Sequence, residues 1–225
     1  IKTTAKKEGD FFILNGNKTF VLDGHSADKI IVAVRTNGNI DDKSGISLFC
    51  INSDTVGMTV TPMSMLDSRN ASQIVFSNSK IPSDCLLGDL DNGYSTIEEV
   101  LERAQIGMAA EMLGNASQAF EITLNYLKER KQFGALIGSF QALKHRAAIM
   151  YSEIELTKSS VVGALNAVDE KSNDRARFAS LAKFKSGETL HLISNESVQM
   201  HGGVGVTDEY DIGFFIKRAR VAQQI

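Results

Sequence analysis

Residues 93–130 read GYSTIEEVLERAQIGMAAEMLGNASQAFEITLNYLKER, and this stretch decides the fold. Apolar side chains recur at Ile97, Val100, Leu101, Ala104, Met108, Met112, Ala116, Phe120, Leu124 and Leu127, mostly three or four apart, the repeat of one face of an α-helix. Ser95 and Glu98 have the spacing of a capping box, so the helix is expected to start there and run to about Arg130. No proline follows Gly93, and two more such helices follow. After the loop KQFGALIG, Ser139 reads as an N-cap for a helix through Leu143, Ala147, Met150, Ile154 and Val161 to about Val168. The next starts near Asn173 or Asp174, runs through Phe178, Leu181, Phe184, Leu190 and Ile193 to Met200, and stops at Gly202-Gly203. A fourth is expected from Thr207, with Asp208 and Glu209 in its first turn. Helices of roughly 25 to 35 residues are at least twice the usual length, and short loops between them force antiparallel packing.

Before Gly93 the pattern is that of strands. FFIL, Asn15-Gly16-Asn17, KTFVL, Asp23-Gly24, KIIVAVRT and Asn37-Gly38 alternate β-branched and aromatic runs with turn signals. GISLFCIN, MTVTPM and SQIVFSNSKI continue the series, with Pro62 and Pro82 at the ends of runs. About six strands are expected. The fold class is α+β: a partial antiparallel β-barrel or sandwich over residues 1–93, then an antiparallel four-helix bundle over 94–225.

Composition narrows the classes of partner. The 225 residues are 43% hydrophobic and 23% charged, an ordinary globular balance. The 24 basic and 27 acidic residues are interspersed, with net charge −3, so no basic stripe suits nucleic acid. No run of 18 uncharged apolar residues suggests a membrane span. Cys50 and Cys85 sit singly in apolar contexts and read as small buried hydrophobes in a reducing compartment, and no residue is assigned to a metal. The opening IKTTAKKEGDFFIL has neither a signal core nor an initiator methionine, which leads to the expectation of a fragment.

Two constellations could carry chemistry. The first is Glu129-Arg130-Lys131-Gln132-Phe133-Gly134 with Ile137-Gly138-Ser139-Phe140-Gln141. An arginine at a helix end offers a planar fork of donors suited to a diphosphate, beside amides and aromatic surface; the plain alternative is a basic helix end, a turn glycine and a buried Phe. The second is Gln199-Met200-His201-Gly202-Gly203-Val204-Gly205-Val206-Thr207-Asp208-Glu209-Tyr210. Its GxG follows a helix and lacks a third glycine, so a dinucleotide fingerprint of the strand-turn-helix kind is excluded. What remains is backbone without Cβ atoms that a flat or anionic ligand can approach, or a simple helix break.

Together, RKQFG, SFQ, QMHGGVGVTDEY and Lys217-Arg218-Ala219-Arg220 resemble the acyl-CoA dehydrogenase family across the helical half, and LNGNKTFVLDG, LDSRNAS and IPSDCLLG resemble the end of its middle β-domain. The resemblance implies an FAD flavoprotein oxidoreductase of fatty acid and lipid metabolism. It would be a homotetramer or dimer of dimers that shares each flavin between subunits, with an acyl-CoA substrate and an electron-transfer flavoprotein as acceptor. Its location would be cytoplasmic, or the mitochondrial matrix in a eukaryote. It places Arg130, Gln132 and Phe133 at the FAD diphosphate, Phe140 and Gln141 also toward FAD, and Gln199, Met200, His201, Gly202 and Gly203 at the adenine half. Phe20, Val21 and Leu22 match the stretch against the flavin ring, but Phe20 stands where tryptophan is usual and Leu22 has no hydroxyl to offer.

The family's reaction needs a carboxylate aimed at the carbon α to a thioester. In many members that glutamate follows the fourth helix, one residue beyond Ile225. In others it lies on the first long helix, where Glu102 matches, with Arg103 at a substrate-side position; the plain alternative for Glu102 is a solvated helix carboxylate. The acyl pocket is expected to need an amino-terminal helical domain and early strands outside this chain, and the fragment is expected to be inactive alone. The rival reading is a non-catalytic partner subunit that keeps fold and interface without flavin or base.

Overall fold

The polar run Thr4–Glu8 forms β1, which turns through Gly9 and Asp10 into a twelve-residue β2, Phe11–Leu22. These are the first elements of a computed structural model that describes residues 1–225. The chain divides into two units, Ile1–Glu99 and Val100–Ile225. In the first, β3 (Lys29–Arg35), β4 (Ile46–Asn52), β5 (Met58–Met63), β6 (Ala71–Pro82) and β7 (Leu86–Leu87) complete a seven-stranded sheet of order β5-β6-β2-β1-β3-β4-β7. The pairing is antiparallel except where β1 meets β3, so the sheet is mixed and has one strand more than the sequence suggested. Two strands were missed, β1, whose residues are nearly all polar, and the two-residue β7, while FFIL and KTFVL, read as separate runs, join in β2. Pro62 lies in β5 at the sheet's edge, where its missing donor costs no ladder bond.

Asn15-Gly16-Asn17 is not the turn its composition suggested. β2 runs straight through it with a register shift, and the Asn15 amide donates to Asn78 Oδ1 of β6 at 3.0 Å and accepts from the Asn78 backbone N–H at 2.8 Å. Gly16 adopts φ +133°, and a Cβ there would lie 2.8 Å from Thr3 Cα, so the residue marks a bulge with close backbone approach. One face of the sheet buries Phe12, Leu14, Val32, Val34, Phe49, Ile51, Ile74, Phe76 and Ile81. Cys50 points from the other face of β4, and Cys85 ends a 3-10 turn, so both are half-buried rather than enclosed.

α1 spans Tyr94–Glu129 and so begins six residues before the second unit, which also holds α2 (Gln141–Asp169), α3 (Arg175–His201) and α4 (Ile212–Gln224). Several helix ends differ from expectation. α1 starts one residue before Ser95. Phe140, not Ser139, precedes α2, because the Ser139 hydroxyl donates back to Leu136 O at 2.6 Å. α4 begins at Ile212, since Gly202–Val206 continues as a 3-10 turn and Thr207 Oγ1 donates to Val204 O.

The buried face of α1 is Ile106, Ala109, Met112, Ala116, Ala119, Thr123 and Leu127, which leaves Val100 and Leu101 exposed. On α3 the buried face is small: Ala179, Ala182, Ser186, Gly187, Thr189, Ser194 and Ser197 turn inward with Leu190 and Ile193, and Leu181 and Phe184 face out. Small residues let helices approach closely, and Thr157 of α2 and Thr189 meet hydroxyl to hydroxyl at 2.7 Å.

Candidate cofactor site

Arg130 ends α1 with its N–H still bonded to Tyr126 O, and its own carbonyl accepts from Ile137 N at 2.9 Å. That closing bond sets up a two-strand ribbon, β8 (Lys131–Gln132) with β9 (Ala135–Leu136), leaving Phe133 and Gly134 as its turn. Both have positive φ, +55° and +78°, the signature of a primed hairpin turn that normally favours Asn and Gly. An aromatic side chain in that backbone region is strained. Phe133 is also 89% exposed, which excludes the buried-Phe alternative, and it meets Phe140 edge-on at 6.3 Å.

The other motif closes α3. Gly202 takes φ +64° and ψ −143°, a conformation that ends the helix where the glycines predicted. A Cβ on Gly202 or Gly203 would meet no atom within 4 Å, so both face open space. His201 is buried, its ring stacked on Tyr126 at 4.3 Å and tilted against Tyr210 at 4.8 Å. Its Nδ1 lies 2.7 Å from Ser197 O and so carries the hydrogen, while Nε2 has no partner. Burial pulls the imidazole pKa below its ordinary value, the Ser197 carbonyl opposing.

The two motifs, some seventy positions apart in the chain, wall one cavity of about 640 Å³. Arg130, Gln132, Phe133 and Phe140 line one side and Gln199, Met200, His201, Gly202 and Gly203 the other. Val204 and Tyr210 of the second motif also line it, as do Tyr126 and Arg146, which the sequence did not single out. Tyr126 sits one helical turn before Arg130, and that spacing was the available signal. Arg146 is committed to Glu196, with Nε 2.7 Å from Oε2. The volume is that of a small-molecule site. No carboxylate lines it, although the chain is net negative, so two guanidiniums and two glutamines face a cavity free of acid. This donor set, with aromatic rims and a floor without Cβ atoms, fits a flat heterocycle joined to a diphosphate.

The other candidates are not among the residues that line the cavity. Gln141 is exposed at the first position of α2 and does not line the cavity. Phe20, Val21 and Leu22 fall at the second register shift of β2, with Phe20 at φ +55° and 59% exposed, Leu22 exposed, and Val21 packed against the sheet core. Phe20 and Phe133 are thus the two aromatic residues of the chain at positive φ. Glu102 is half-buried on α1, and its Oε2 accepts from Arg175 Nε at 2.6 Å, a partner that the sequence gave no reason to choose. Arg103 is exposed beside it. From Glu102 to Tyr126 the helix rises about 36 Å, so this carboxylate and the cavity are at opposite ends of α1. No helix is long and apolar enough to cross a membrane.

Comparison with known proteins agrees with this architecture. The family descriptions "Acyl-CoA dehydrogenase, middle domain" and "Acyl-CoA dehydrogenase, C-terminal domain" match residues 1–79 and 91–225. The chain is 33% identical, over 98% of its own length, to the short/branched chain specific acyl-CoA dehydrogenase of Bos taurus mitochondria, of which it covers 51%. It is 33% identical to subunit CarC of the caffeyl-CoA reductase-Etf complex of Acetobacterium woodii, covering 98% of this chain and 59% of that one. Among solved structures, butyryl-CoA dehydrogenase of Megasphaera elsdenii superposes with a TM-score of 0.93 at 29% identity, over 99% of this chain and 58% of that one. The chain therefore spans a little over half the length of these relatives.

Proposed function

Because the chain belongs to the acyl-CoA dehydrogenase family, we propose that it is the middle and carboxy-terminal part of an FAD-dependent enzyme that introduces a double bond α,β to an acyl-CoA thioester. The observation that carries this reading is the single acid-free cavity shared by RKQFG and QMHGG. Arg130 would hold the diphosphate by its guanidinium, with the Gln132 and Gln199 amides beside it. Gly202 and Gly203 would admit the adenine-bearing half against bare backbone, and the Tyr126, His201 and Tyr210 rings would back that wall. Phe20, Val21 and Leu22 would face the ring half, and Leu22 supplies only apolar contact there. FAD, when bound, supplies the hydride acceptor.

Glu102 is the proposed base. As a carboxylate it can take the proton α to the thioester carbonyl once Arg175 yields its place, and the neighbouring Arg103 would meet the substrate. The long separation between Glu102 and the cavity supports the view that one subunit's cavity and its Glu102 serve different flavins, in a homotetramer or dimer of dimers. Large apolar side chains exposed on the helices, among them Leu156, Leu165, Leu181, Phe184 and Phe214, support such assembly. The electron acceptor proposed is an electron-transfer flavoprotein, in keeping with the Etf complex named for the Acetobacterium relative. The proposed location is the cytoplasm, or the mitochondrial matrix in a eukaryote.

A second reading draws on the Glu102–Arg175 ion pair and on Leu22: a non-catalytic partner subunit that keeps the fold without a free base. Purification of the full-length protein separates the two. The enzyme reading expects a yellow protein whose flavin bleaches on adding acyl-CoA without air, and an Arg130→Ala variant depleted of FAD. A colourless full-length protein that co-purifies with a related subunit would overturn it in favour of the second reading.

A further inference from the structure

α2 gives the cavity two side chains, Leu143 and Arg146, which lie one helical turn apart and so share a face. Leu143 is apolar. Arg146 is a cation whose donors are already engaged: its Nη2 donates to Glu196 Oε1 at 3.1 Å, and its Nε lies 2.7 Å from Glu196 Oε2. Glu196 belongs to α3 and is not among the residues that line the cavity. Its Oε2 is buried and makes no hydrogen bond, so its charge rests against Arg146 alone. Of the two, the arginine is the open member, with 42% of its side chain exposed against 21% for the glutamate.

A guanidinium gripped along one edge is fixed in orientation, and the carboxylate offsets its charge. What remains for a ligand is the two flat faces of the group and one terminal nitrogen, Nη1. Such a plane beside a leucine is a poor clamp for phosphate, which calls for unpaired donors and full charge, and a good surface for an aromatic ring. Arg130 is the opposite case, since no carboxylate lines the cavity to offset it.

Position decides which ring. Glu196 precedes Gln199 and Met200 by three and four residues, so it ties Arg146 to the end of α3 that leads into Gly202 and Gly203. That wall is the one given above to the adenine-bearing half of FAD, and the inference rests on that reading. We propose that Arg146 is a binding residue for adenine: held flat by Glu196, its guanidinium stacks on the purine ring, and Leu143 extends the same surface. Glu196 is the positioning residue of the pair.

The test uses the full-length protein freed of flavin. FAD binding is followed by flavin fluorescence, and ADP, which carries adenine without flavin, by its displacement of FAD. Arg146→Lys keeps a cation for Glu196 but has no flat face. It should hold its Tm within about 2 °C of wild type and weaken FAD and ADP alike, each about fivefold or more. Arg146→Met combined with Glu196→Gln removes charge and plane together without leaving a buried carboxylate unpaired, and it too should weaken both ligands; it decides alone if Arg146→Lys does not fold. Wild-type affinity for FAD in Arg146→Lys would mean that the charge and not the plane is used, and would overturn the proposal. So would a variant that weakens FAD but not ADP, which moves the contact to the flavin half, or ADP that fails to displace FAD from wild type. Wild-type protein that binds no FAD would overturn the function proposed above and this role with it, whereas equal FAD binding by wild type and both variants removes only the role of Arg146.

Discussion

Phe133 holds its backbone at φ +55° with 89% of its surface in solvent, two unfavourable conditions at one residue. The edge-on contact with Phe140 is the ring's one aromatic partner, and most of its surface is left open at the cavity rim, where a ligand would meet it. Phe133→Gly should therefore leave the fold intact and raise stability by up to about 1 kcal/mol, since glycine adopts this conformation without strain. The same variant should bind FAD more weakly, as judged by flavin retained through gel filtration of the full-length protein. His201 makes a different demand. Burial lowers its pKa below the ordinary value of 6.5, so on acidification the unfolded chain takes up the proton before the folded one does. Stability contributed by the neutral ring is present above that value and falls as pH drops through it toward the folded pKa. A Tm series from about pH 7.5 to 5 should show a shallower acid loss for His201→Phe than for wild type; parallel curves would contradict the assignment.

At the scale of elements, α2 and α3 are tied by a buried pair of hydroxyls, Thr157 and Thr189. Thr157 Oγ1 donates to Glu153 O at 2.7 Å, so the Thr189 hydroxyl donates to it in turn. Thr157→Val leaves a buried hydroxyl without its acceptor and should cost about 1–3 kcal/mol, whereas adding Thr189→Val removes the orphan and should recover part of that loss. Urea unfolding of the two single variants and the double measures the coupling; strict additivity would mean that the hydroxyls do not interact.

The same elements show what could be read from the sequence. The helices were legible because their apolar repeat is long and no proline interrupts it. Their inner faces were less so: Leu181 and Phe184 look like core by periodicity, yet Ala179, Ala182 and Ser186 are inside, because close helix approach selects small residues. The bulge at Gly16 resembled a turn because both need a glycine, and only pairing with Asn78 and Thr3 separates them. Both cavity motifs were visible from residue types, and Tyr126 from its spacing to Arg130, but Arg146 and the Arg175 partner of Glu102 depend on which helix faces which, and spacing along the chain does not carry that.

For the whole molecule one arrangement is decisive: α1, α2 and α3 bring two motifs to a single acid-free cavity whose floor is bare glycine backbone. Gly203→Leu in the full-length protein tests it most directly. A Cβ at Gly203 meets nothing within 4 Å and its φ is not in the left-handed region, so the fold should tolerate the change while the side chain fills the cavity. The predicted result is a Tm within about 2 °C of wild type together with FAD binding weakened about tenfold or more. A folded Gly203→Leu protein that retains wild-type FAD stoichiometry and Kd would mean that the cavity is not the FAD site.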